Sequence, residues 1–242
     1  MARGLGTKSR FAVAYLVLGA VVGTAIGGLI VLVQRPAPLP PPPWSSWRPA
    51  ATATEERVLE IANHVAGRYK LASGDPLVAV RVGGSQGGTD FQGLVVLKPG
   101  EPQALDKEYA KDETVMFILC GRGKNCAIPQ GEPSTARGTV LRREALELAL
   151  YTLEYADPVD NVLVFFPPPK GQTSLKSTLF FTRDDLSSHL KRPLRKTLPQ
   201  AKAPLPGRIH PREKQTVDQL TGEKLYNYLG ISQNFVVIQP PS

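Results

Sequence analysis

The sequence predicts an α+β domain, with a mixed or antiparallel sheet and packed helices, preceded by one N-terminal transmembrane helix. Three observations carry that expectation. Residues 11–33 contain no charged side chain; a proline-rich stretch comes after them; and the remainder alternates short apolar runs with longer segments of helical periodicity.

As a helix rising about 1.5 Å per residue, 11–33 spans roughly 34 Å, enough for a hydrocarbon core of about 30 Å. A buried soluble helix of that length would carry a polar stripe, and here only Tyr15 and Thr24 interrupt the apolar surface. A cleaved signal peptide would need a shorter apolar region and small residues at a cleavage site; Gln34, Arg35 and Pro36 do not supply one. Residues 1–10 carry Arg3, Lys8 and Arg10 and no acid, so the positive-inside rule keeps this tail cytoplasmic and places the chain beyond the span on the extracytoplasmic side. Gly19, Gly23 and Gly27 lie four apart on one face, a spacing at which two spans approach closely and pair. The plainer alternative is that glycine is common in membrane spans.

Residues 34–51 form a spacer whose six prolines between 36 and 43 favour an extended polyproline path. Trp44 and Trp47 within it are expected to pack on the first helix of the domain rather than at the membrane interface. The domain itself occupies 52–242. Thr52 with Glu55 suits a capping box, and Val58, Ile61, Ala62, Val65 and Tyr69 then recur at helical spacing. Residues 77–82 and 94–97 read as a hairpin around a glycine-rich loop, and 114–119 as a third strand.

The segment 141–155 reads as a helix central to the core, with Arg143, Glu144, Glu147 and Glu154 as a narrow solvated stripe. Two further strands are expected at 161–166 and 175–181. Thr182 with Asp185 then caps a short helix to Leu190. Val217, Leu220, Lys224 and Leu229 suggest a last helix, and 235–238 a closing strand.

The formal charge is +8, and it is concentrated. Between 191 and 214 stand Lys191, Arg192, Arg195, Lys196, Lys202, Arg208, Arg212 and Lys214 against Glu213 alone. Five prolines in the same stretch make it an irregular excursion. It reads first as a solvated loop; its functional alternative is a site for an anionic envelope polymer or lipid head groups, reached by long-range attraction. Nucleic acid is excluded by the side of the membrane on which the segment is expected.

Cys120 and Cys126, the only cysteines, flank a short glycine-containing loop, and outside the cytoplasm they suit a structural disulfide worth about 2 kcal/mol. The spacing is not that of a zinc or redox motif, and His64, His189 and His210 are scattered, so no metal site or cofactor is expected. Residues 83–87, Gly-Gly-Ser-Gln-Gly, match the nucleophile-elbow pattern with Ser85 at its centre. An elbow needs a helix after the turn, whereas another apolar strand comes next, so the match reads as a hairpin loop. A serine hydrolase using Ser85 remains the enzymatic rival to a non-enzymatic binding or assembly component.

The strings 119–123 and 126–128, Pro133-Ser134, 141–152 and Pro167-Pro168, with the anchor and the Trp-Ser-Ser-Trp segment, resemble single-pass membrane-anchored envelope proteins of actinobacterial type, a group with no assigned function. The resemblance implies an anchored extracytoplasmic domain and carries over no catalytic or ligand residue. The partners expected are therefore the bilayer through 11–33, a second copy through the glycine face, and an envelope protein or anionic polymer.

Overall fold

The computed structural model describes residues 16–21, 23, 43–83, 91–128 and 134–241. The chain divides into two compact units, Met1–Pro42 and Pro43–Ser242. In the first, residues 16–21 and 23 are helical and exposed. A Cβ built on Gly19 or Gly23 meets nothing within 4 Å, so both positions border open space. Among the described residues no helix is long and apolar enough to cross a membrane. Most of the span expected at 11–33, including Gly27, lies outside the described residues, as do the tail and the spacer up to 42.

The second unit is α+β, built on one mixed sheet of eight strands. Helix α1 (Thr54–Ala66) buries Val58, Ile61, Ala62 and Val65, the face its spacing predicts. The expected Thr52–Glu55 box does not form, because the cap position is Ala53 and no side chain bonds there. More distant groups replace it. Glu60 accepts from the backbone N–H of Ala50 and Ala51 at 2.7 and 3.1 Å, and Thr54 Oγ1 donates to the Asp157 carbonyl at 2.8 Å.

The strands are β1 (Ala79–Val82), β2 (Gly93–Lys98), β3 (Glu101–Ala110), β4 (Thr114–Cys120), β5 (Asn161–Phe165), β6 (Ser177–Thr182), β7 (Leu225–Ser232) and β8 (Phe235–Gln239), in spatial order β1-β4-β5-β6-β7-β8-β2-β3. β1 and β2 are not the expected hairpin: β1 pairs with β4, and β2 lies between β8 and β3. Pro99 and Gly100 (φ 72°) join β2 to β3 directly, and so short a turn closes at less entropic cost than the long loop back to β1. No apolar run marks β3 in the sequence, since its residues are largely polar and mostly exposed. Leu229 lies in β7 rather than in a last helix, and β7 turns into β8 through Gln233 and Asn234, both at positive φ.

β4 and β5 are parallel, which requires a crossover, and helix α2 (Thr135–Tyr155) provides it. It starts six residues before the expected 141, capped by Ser134, whose side chain accepts from the Arg137 N–H. β5 is buried on both faces. Val162 and Val164 join the main core under the helices, while Leu163 and Phe165 join a second core with Phe91, Leu94, Phe180, Val236 and Ile238. Tyr109 of β3 packs edge-on against Phe180 of β6 with ring centroids 4.9 Å apart. Strands four places apart in the order therefore touch, so the sheet curls over onto itself. Helix α3 (Arg183–Leu190) opens with the predicted box between Thr182 and Asp185. Helix α4 (Pro211–Thr221) packs, like α1, on α2.

At the start of the second unit the two tryptophans dock on the helices. Trp47 stacks on His64 of α1 with centroids 3.8 Å apart, and Trp44 lies edge-on to Tyr151 and Tyr155 of α2. The Trp44 carbonyl also accepts from the Leu194 N–H at 2.7 Å, tying the entry strand to the basic excursion.

Candidate functional site

Arg143, Glu144 and Glu147 are not a solvated stripe. Each is at most 1% exposed. The helix they ride on is covered on that side as well, by α1, by α4 and by the segment leading into α4, so the polar face was enclosed rather than left to water.

The enclosed groups form one network. Arg143 Nε donates to Glu213 at the start of α4; its Nη1 donates to the Tyr69 hydroxyl and, at 2.9 Å, to Glu147; its Nη2 donates to the Gln200 carbonyl at 3.0 Å. Tyr69 donates to the second oxygen of Glu147 at 2.6 Å, and Arg68 pairs with the first. The other Glu213 oxygen accepts from the Gln200 N–H at 2.8 Å. Burial disfavours the Arg143 charge, but Tyr69, Glu147 and Glu213 outweigh it and the guanidinium is held protonated. Burial, reinforced by the adjacent Glu147, pushes the Tyr69 phenol well above its ordinary value, so it stays neutral. Two arginines and two carboxylates then balance.

Glu144 stands apart. Both its oxygens are buried without a hydrogen-bond partner. Burial first, then the Glu147 charge, pushes its pKa well above the usual carboxylate range, against a smaller pull from Arg143. The shift favours the uncharged acid, the form that adds no further negative charge to the enclosed cluster.

This network acts as a fastening: all three guanidinium nitrogens of Arg143 are engaged, and of its charged side chains only Arg68 at its edge reaches solvent. What it fastens is the basic excursion. Gln200 is gripped through both its N–H and its carbonyl, the Ala201 carbonyl accepts from Arg68, and the Gln200 side chain accepts from the His210 N–H at 2.9 Å. Leu194, Thr197, Leu198 and Pro204 are buried. The excursion is irregular, as expected, but it is packed. Its apolar side faces the core, and Lys191, Arg192, Arg195, Lys196, Lys202, Arg208, Arg212 and Lys214 are all exposed. Of these, Lys214 pairs with Asp218 at 2.5 Å and Arg192 contacts the His189 ring. The sequence offered one signal for the fastening. Glu213 is the lone acid among the eight cations of 191–214.

Cys120 and Cys126 are joined by a disulfide. The loop it closes is tight: a Cβ on Gly121 would lie 2.3 Å from the Ala127 carbonyl oxygen, so only glycine fits. Among the described residues no group of His, Cys, Asp and Glu is gathered to hold a metal ion. Ser85 lies outside the described residues; Asp157, Asp160 and His189, which come after it in the order a serine hydrolase would need, each lie beside a charged or polar neighbour. Asp160 pairs with Arg183 at 2.5 Å, and His189 lies 2.9 Å from Thr197 Oγ1. No family model, curated protein or solved structure matches the chain.

Proposed function

We propose that this chain is a non-enzymatic, membrane-anchored extracytoplasmic component of the cell envelope, whose contact surface is the cationic stretch 191–214 and whose partner is an anionic envelope polymer. The observation that supports it is the preorganised segment: eight exposed cations on a backbone held from beneath by Arg143, Arg68 and Glu213. A packed segment loses little conformational freedom when a polyanion settles on it, so charge attraction is not spent on ordering. The anchor of 11–33 and the spacer would present that surface to polymer outside the membrane.

The test is retention of the full-length chain, in non-ionic micelles, on a polyphosphate-coated surface. Between about 0.01 and about 1 M salt the screening length falls from about 30 to about 3 Å, and retention should fall steeply over that range. Replacing Lys191, Arg192, Arg195 and Lys196 together by glutamine should abolish most of it. Equal retention by both proteins, or retention indifferent to salt, would refute the reading. The enzymatic rival is tested separately: fluorophosphonate labelling that disappears in Ser85→Ala would overturn the non-enzymatic part. Impermeant maleimide on intact cells reports the side of the membrane, since Cys120 and Cys126 should label there only after reduction.

A further inference from the structure

A cavity of about 640 Å³ lies between the disulfide loop, the turn at 71–76 and the first turns of α2. Its volume is in the range that encloses a small molecule, roughly 300–1,000 Å³. Leu71, Leu77, Val78, Ile128 and Leu141 make its apolar wall. Arg122, Asp75, Ser73 and Arg137 supply its polar lining. Both sides of the mouth are fixed. The Leu71 N–H donates to the Asp75 carbonyl at 2.7 Å, closing the turn, and Ser73 Oγ donates to the Asp75 carboxylate at 3.0 Å. On the far side the Gly121 N–H donates to the Cys126 carbonyl at 2.7 Å within the disulfide loop, and the Ile128 N–H donates to the Pro168 carbonyl at 3.0 Å.

An ion pair crosses between these two walls. Arg122 Nη1 donates to Asp75 Oδ1 at 2.7 Å, and both side chains are about half exposed. Such a pair is weak in water, so an incoming carboxylate or phosphate can take the place of Asp75 on the guanidinium at little cost. We propose that this cavity binds a small amphipathic anion, its apolar body against Leu71, Val78 and Leu141 and its carboxylate or phosphate on Arg122. This site is separate from the cationic surface of 191–214 and goes beyond the polymer-binding reading.

The two residues of the ion pair make opposite predictions, and both are exposed, so neither substitution threatens the fold. The probe is 4-butylbenzoate, titrated calorimetrically into the full-length chain in non-ionic micelles, with protein-free micelles subtracted. The proposal expects saturable binding, weakened about tenfold in Arg122→Gln by loss of a charged hydrogen bond. It expects tightening in Asp75→Asn, because the internal competitor is gone. The uncharged analogue 4-butylbenzyl alcohol and inorganic phosphate, each lacking one half of the recognition, should bind more weakly than the probe. Absence of saturable binding to the unmodified chain would overturn the proposal. So would equal affinity in both variants, or an alcohol that binds as tightly as the acid. If inorganic phosphate binds as tightly as the carboxylate, the apolar wall contributes nothing, and the proposal fails on that side.

Discussion

Removing the Glu213 carboxylate tests how the basic excursion is held. In Glu213→Ala, Arg143 loses its Nε partner and the Gln200 N–H loses its acceptor, both at a site where the two charged side chains are fully buried. Breaking a buried pair by deleting one member costs about 3–5 kcal/mol, because the remaining charge stays desolvated. Here Arg143 keeps Glu147, the Tyr69 hydroxyl and the Gln200 carbonyl, so the loss should fall toward the lower end, about 3 kcal/mol. Glu213→Gln keeps an acceptor for one of the two donors and should lose less, about 1–3 kcal/mol. Urea unfolding of the full-length chain reads this as a drop in midpoint at unchanged slope. Limited proteolysis supplies the local readout, since the backbone around Gln200 should become cleavable before the sheet does. A loss under about 1 kcal/mol for Glu213→Ala, with no new cleavage near Gln200, would refute the idea that this network fastens the excursion.

Glu144 has a raised pKa when folded, so the folded chain keeps a proton that the unfolded chain releases near the ordinary value of 4.5. Stability attributable to it is therefore complete below that pH and is lost as pH rises toward the folded value; Glu144→Gln should remove this dependence in urea titrations run across the range. His64 is shifted the other way, down, by burial and then by Arg68. Its contribution is present above the ordinary value of 6.5 and lost as pH falls below it, and His64→Phe, which preserves a ring under Trp47, should flatten that acid limb in the same titrations. Replacing both Cys120 and Cys126 by alanine should cost about 2 kcal/mol of unfolding free energy, the value for so short a loop, seen as a lower urea midpoint that reductant no longer changes.

By itself the sequence determined the elements whose signal is local. The apolar positions of α1, the Thr182–Asp185 box and the apolar runs of β4, β5, β6 and β8 are each written in a few consecutive residues, because helix period, cap chemistry and β-branched composition act over one or two turns. The cysteine pair was legible for the same reason, and so was the irregular course of 191–214. Only the tertiary structure decided which strands pair, since β2 and β3 meet through a turn while β1 finds β4 from far along the chain, and strand composition does not encode a partner. It also decided the fate of the charges on α2. Arg143, Glu144 and Glu147 form a polar stripe by spacing, and a stripe looks the same whether water or another helix will cover it. What covered it was α4 and the chain around Gln200, brought from more than fifty residues away. Burial is a property of that assembly, and with it came the upward shift of the Glu144 pKa and the fixing of the cationic surface.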